Sequence, residues 1–202
     1  MVTRSSTPKR RTYRMVARAE AAAATRERML AAAWRNFSER PYEDVPLADI
    51  AAEAGVSVQT LHSGFGPKDS LFVAAWAWMG ANEMARRDAV VVGDVEAAIR
   101  LLYDSYEHRG DAVLRLLAQE DRIPAVHRMA EAGRAYHRGW VARTFAPLLA
   151  GLPRATRQRR RTALVVATDL LVWKLLRRDL GIARPTAERI ATDMVAATRG
   201  VS

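Results

Sequence analysis

Apolar positions along this chain recur at helical spacing almost throughout, and strand-type alternation is nearly absent. Leu30, Ala33, Trp34 and Phe37 follow the i, i+3, i+4, i+7 spacing of one buried face, which predicts a first helix over about 20–39. Arg40-Pro41 stops it, because a proline disfavours the helical region for the residue before it. A second helix is predicted to open at Pro46 and end near Ala54, and Gly55 supplies a turn. A third, short helix then starts from Ser57, whose hydroxyl is placed to cap it, and stops at Gly64, Gly66 and Pro67. Lys68-Asp69-Ser70 opens a longer helix to about Asp88. Further helical segments are predicted near 94–108, 111–121, 125–150, 154–179 and 185–199, punctuated by Gly110, Pro124, Gly151-Leu152-Pro153, Gly181 and Pro185. Val90-Val91-Val92 is the one β-like run, cut short by Gly93. The pattern predicts an all-α chain with no repeat at solenoid spacing.

Residues 1–19 break this pattern. They hold few large apolar side chains but include Arg4, Lys9, Arg10, Arg11, Arg14 and Arg18, so they are expected to form a flexible basic arm. Such an arm either reaches an adjacent minor groove and its phosphates or is a start without a role. Three regions follow from this: the arm at 1–19, a compact helical domain at 20–68, and a larger helical domain at 69–202.

Charge sharpens the picture. A formal net charge of +10 suggests a polyanionic partner, either nucleic acid or an acidic membrane surface. Nearly all the positive charge is arginine, with lysine only at 9, 68 and 174, so a GC-rich genome is a competing explanation. Half the residues are apolar, enough for a core, and the absence of cysteine excludes a disulfide framework or a thiolate metal site. No stretch approaches the roughly 20 apolar residues of a membrane span. The N-terminus has no secretory hydrophobic region, since Arg18 and Glu20 interrupt residues 15–24. A soluble, cytoplasmic protein is expected, with no membrane partner.

The segment 50–61 has the physical logic of a helix-turn-helix. Ile50, Val56 and Leu61 are apolar anchors, Ala51 and Ala54 permit close packing, and Gly55 permits the sharp turn. The second short helix presents Ser57, Gln59 and Thr60 at its N-terminal end, the part that meets base edges in a major groove. Glutamine can pair bidentately with adenine, and hydroxyls reach bases or phosphates.

Phe37, Tyr42, Asp49-Ile50-Ala51, Ala54-Gly55-Val56-Ser57, Thr60-Leu61, Phe65, and Lys68 followed by Leu71 together resemble the TetR-family DNA-binding domain, over residues 25–72. The resemblance implies a three-helix DNA-binding domain and a divergent helical domain for ligand binding and dimerisation. It also implies a double-stranded operator as partner, with repression relieved by a small molecule. Carried over by position, it places Thr25, Arg26, Thr60 and Lys68 at the DNA; Ser57, Val58 and His62 of the same short helix join them as candidates, with Gln59 as the candidate base reader. Three positions depart from the family pattern. Val45-Pro46 stand where a hydroxyl residue commonly caps the second helix, His62 replaces a tyrosine, and Gly64 replaces a larger side chain. Each departure removes or alters a backbone contact, so the basic arm is expected to carry more of the affinity.

Beyond Leu71 the resemblance thins. It implies a homodimer built on the last two helical segments, where Ala163, Val166, Ala167 and Leu170 line one helix and Ile190, Ala191 and Met194 the other. Plain intrachain core is the competing reading of these stripes. Among the large side chains of the middle segments, Tyr103, Met129, Tyr136 and Trp140 are candidates to line a pocket for a largely apolar effector, again against a core reading. The cluster Arg154, Arg157, Arg159, Arg160 and Arg161 sits at a helix start, and is either a solvated face or a site for a second anionic partner.

Enzyme chemistry finds no support. His62, His108, His127 and His137 do not form a ligand triad, and there is no His-Glu-x-x-His motif, phosphate-cradling glycine loop or nucleophile elbow. No cofactor or metal is expected. The remaining alternative is a basic helical protein that binds nucleic acid or anionic surfaces without sequence specificity.

Overall fold

The computed structural model describes the backbone of residues 8–200 and the side chains of residues 15–200. The described residues form helices joined by short loops, with no strand. They run in the order α1 (Pro8–Glu39), α2 (Leu47–Ala54), α3 (Val58–Phe65), α4 (Lys68–Asp88), α5 (Val95–Leu117), α6 (Pro124–Thr144), α7 (Ala146–Leu149), α8 (Arg154–Ala167), α9 (Leu170–Lys174) and α10 (Arg184–Ala197). A π-helical turn, Leu175–Asp179, continues α9, and a 3-10 turn, Thr198–Gly200, follows α10. The chain divides into two compact units, Met1–Met79 and Gly80–Ser202.

The expected arm at 1–19 lies outside the described residues up to residue 7, and from Pro8 onward the chain is helical. Residues 15–24 are exposed on every side. Intrinsic propensity rather than packing therefore accounts for this helix: alanine, arginine, methionine and glutamate dominate it, all good helix formers.

In the first unit α1 packs on α2 through Met29, Leu30, Ala33 and Phe37 from one side and Ile50, Ala51 and Ala54 from the other, all buried. Phe37, Tyr42 and Phe72 form an aromatic triangle, with centroids 5.4, 5.1 and 5.3 Å apart. Leu71, Phe72 and Ala75 are buried as well. The first turns of α4 thus belong to the N-terminal core, which is why the boundary between units falls after Met79 and not at the start of α4.

The core of the second unit gathers Ile99, Leu102 and Tyr103 of α5, Trp140 and Val141 of α6, Leu164 of α8, Trp173 of α9 and Ala191 and Val195 of α10. The helix expected over 125–150 is divided at Phe145 into α6 and α7, and two further elements differ from the sequence pattern. First, α5 runs unbroken through Gly110. A Cβ on Gly110 would stand 2.5 Å from Trp173 Cζ3, so this glycine serves close approach to an indole and ends no helix. Second, the helix expected over 154–179 breaks at Thr168-Asp169. Asp169 is extended (φ −74, ψ 149) and its side chain accepts from Leu171 N at 2.8 Å, a local bond that competes with helix continuation. The Tyr106 hydroxyl donates to the Thr168 carbonyl at 3.0 Å, and His137 Nε2 lies 3.1 Å from Thr168 Oγ1, so tertiary bonds hold the break open.

The most deeply buried carboxylate of this unit is paired. Glu83 is 8% exposed and receives Arg87 Nε at 3.0 Å and Arg109 Nη2 at 2.6 Å. Burial alone pushes its carboxyl up, but the Arg87 hydrogen bond and charge, then the Arg109 charge, outweigh it and hold the group below the ordinary carboxylate range.

Candidate nucleic-acid interface

The turn between α2 and α3 is built from three local devices. Pro46 begins α2 without a side-chain cap, and Val45, in the position of the missing hydroxyl residue, is fully buried. Gly55 ends α2 in the left-handed region (φ 67), which only glycine reaches without strain. Ser57 caps α3: its Oγ accepts from Thr60 N at 3.1 Å and lies 2.8 Å from Thr60 Oγ1. A cap of this kind stabilises a helix by about 1 kcal/mol.

Leu61, 1% exposed, pins α3 to the core through one face and turns the other outward. Ser57, Val58, Gln59, Thr60, His62 and Ser63 are exposed. Helical spacing accounts for most of this: with Leu61 buried, residues 59 and 63 fall on the opposite surface and 62 beside them, whereas Val58, three residues before Leu61, is exposed in the first turn. The capping bond ties the Ser57 and Thr60 hydroxyls to each other, whereas no hydrogen bond of the Gln59 side chain is found among the described residues. Ser63 is a surface residue that sequence reasoning missed. Its signal is its place one turn after Gln59.

The expected phosphate-contacting residues flank this strip and are braced from within. The Arg26 guanidinium lies over the Phe65 ring, 4.3 Å from the centroid, and Nη1 donates to Gly64 O at 3.4 Å. Gly64 leaves room there, since a Cβ would meet only the Met29 methyl at 3.6 Å. Thr25 Oγ1 donates to Ala21 O and accepts from Arg28 Nη2. Lys68 Nζ sits over the Tyr42 ring at 4.6 Å and donates to Glu43 O at 3.4 Å. Burial lowers its pKa, against the opposing pull of Asp44, Glu43 and Asp69. Behind the strip, Glu53 bridges Arg35 and Asn36, and Arg40 pairs with Asp49 at 2.8 Å, tying α1 to α2. The first unit is thus a braced platform with one face of α3 turned to solvent.

The second unit holds the remaining sequence-predicted residues. Tyr103 and Trp140 are packed in its core, Met129 is buried, and half-buried Tyr136 donates to Met84 O at 3.2 Å. Of the expected interface residues, Ala167 and Ala191 are buried within the protomer core, Ala163, Leu170, Ile190 and Met194 are half-buried, and Val166 is exposed. Leu171, Leu175 and Leu180 are exposed apolar side chains close by in the chain. Among the described residues no group of three or more His, Asp or Glu could hold a metal ion, and no helix is long and apolar enough to cross a membrane.

A helix-turn-helix with its second helix turned outward, on an all-α chain, defines the class of DNA-binding transcriptional regulators. Residues 29–75 match the model of bacterial regulatory proteins of the tetR family. Similar solved structures include a transcriptional regulator from Rhodococcus sp. Rha1, at TM-score 0.66 and 19% identity over 85% of this chain and 94% of that one. A putative transcriptional regulator from Pseudomonas aeruginosa PAO1 has TM-score 0.69 and 17% identity, covering 86% and 89%. A TetR-family regulator from Streptomyces coelicolor A3 has TM-score 0.52 and 21% identity, covering 88% and 96%. At such identities these likenesses establish the fold. No curated protein sequence matches the chain.

Proposed function

We propose that the protein is a homodimeric repressor that reads a specific double-stranded operator with α3 and is released from it by a small-molecule effector. The observation that carries the reading is the exposed strip Val58, Gln59, His62 and Ser63, held in place by buried Leu61 and the Ser57 cap. Gln59 is the base reader, because its exposed amide can bond an adenine edge bidentately. Thr25, Arg26, Thr60, His62 and Lys68 fix the register through phosphates. Dimerisation is drawn on the exposed Val166, Leu171 and Leu175, with Ala163, Leu170, Ile190 and Met194 beside them. Two copies are required because one α3 reads only half of a symmetric site.

The effector binds in the second unit. Tyr103 supports this: its hydroxyl is buried without a hydrogen-bond partner, and desolvation pushes its pKa up to about 12, so it stays protonated as a donor for an entering ligand. Trp140 and Met129, as packed as they are, meet a ligand only if the helices part, a population shift toward a state that no longer fits the operator.

Selection from a random duplex library tests the reading. A palindrome with half-sites about one helical turn apart is the expected product. Recovery of no enriched site, with binding that depends only on salt, would favour the alternative of a basic protein without sequence preference.

A further inference from the structure

The arginine cluster at the start of α8 borders a groove that DNA reading and dimerisation leave unused. The cavity, of about 370 Å³, has a floor of Ala142, Ala146 and Leu149 and a rim of Arg154, Arg157 and Arg161. Its size falls within the range of small-molecule sites. Six other arginines of this unit meet carboxylates: Arg86 with Asp104, Arg134 with Glu120, Arg143 with Asp88, Arg177 with Glu107, Arg178 with Asp111 and Arg184 with Glu188. Among the described residues the three rim arginines do not. Their hydrogen bonds there run to carbonyls, Arg157 Nη2 to Leu152 O at 2.9 Å and Arg161 Nη2 to Arg138 O at 3.5 Å.

This arrangement costs the fold. Cations in the first turns of a helix oppose its macrodipole, α8 has no acidic residue in its first turn, and Arg157 repels Arg161 one turn on. A negative charge brought into the groove relieves both effects, and guanidinium forks suit phosphate and carboxylate oxygens. The alanine and leucine floor adds a second requirement, an apolar body beside that charge. A DNA backbone meets the first requirement only, being too polar for the floor.

We propose that this groove binds a small anionic amphiphile, a phosphate or carboxylate head on the rim arginines with a short apolar tail over Ala142, Ala146 and Leu149. The proposal concerns binding alone and stands apart from the operator reading.

The test is calorimetric titration of the full chain, without DNA, with monomeric octyl phosphate. Inorganic phosphate, octanol, phosphatidylglycerol vesicles and a random duplex serve as separate arms. Octyl phosphate is expected to bind at least about tenfold more tightly than inorganic phosphate or octanol. The triple variant Arg154→Gln, Arg157→Gln, Arg161→Gln, and separately the floor-filling Ala146→Phe, are each expected to weaken it by about tenfold or more with helicity unchanged. Ala146→Phe keeps the test decisive should the triple variant fail to fold. No binding of octyl phosphate, equal binding of inorganic phosphate, or unchanged affinity in Ala146→Phe overturns the proposal. Vesicle or duplex binding that needs the arginines while octyl phosphate does not bind overturns it in favour of a membrane or nucleic-acid surface.

Discussion

Gly110 lies directly against the indole of Trp173, so close that a Cβ on it would stand 2.5 Å from Cζ3. Trp173 is fully buried, its Nε1 donates to Glu107 at 3.0 Å, and Arg178 covers its ring at 4.4 Å. The indole has no room to retreat. Gly110→Ala is therefore expected to destabilise the second unit by about 1–3 kcal/mol, although alanine is the better helix former. Urea unfolding monitored by tryptophan fluorescence checks this. A stabilised variant would show that the two helices can part without cost.

His137 links stability to pH. Burial first, then the charge of Arg87, lowers its pKa to about 4 from 6.5. Between these values the unfolded chain binds a proton that the folded one refuses. The contribution is therefore fully present above pH 6.5 and is lost as pH falls toward 4. From pH 7 to pH 5 the loss amounts to about 2 kcal/mol. His137→Gln, which keeps a hydrogen-bonding side chain beside Thr168 but does not titrate, is expected to flatten this slope. Parallel pH profiles for the two proteins would place the acid sensitivity elsewhere.

The helix that extends α1 toward the N-terminus packs on nothing over residues 15–24. With the hydroxyl cap missing before α2 and Gly64 small, operator affinity is expected to lean on this basic segment. Deleting residues 1–18 is expected to weaken operator binding and to reduce the slope of log K against log salt, by about one unit for each phosphate the segment neutralises. Anisotropy titrations at several salt concentrations measure both, and an unchanged slope would remove the segment from the interface.

How far the sequence discloses this fold depends on the range of the forces involved. The helix-turn-helix is legible because its determinants are local: Gly55 and Ser57 act within a turn of themselves, and Ile50 and Leu61 mark their faces by spacing. Gly110 looks like a break in the sequence because its reason, Trp173, lies far along the chain. The interruption at Thr168 is invisible there for the same cause, since Tyr106 and His137 hold it from other helices. Ala167 and Ala191 suit an interface on size alone, whereas the fold uses them inside one protomer. Residues 8–19 lack apolar anchors and so resemble an arm, but propensity suffices to make them helical.

Base reading by Gln59 of α3 is decided by one titration. The selected palindrome and a set of duplexes changed one base pair at a time are titrated with wild-type protein and with Gln59→Ala. A loss of about 1–3 kcal/mol on the parent duplex, with discrimination gone at a single base position per half-site, is expected of Gln59→Ala. Equal affinity of both proteins for every duplex would contradict it.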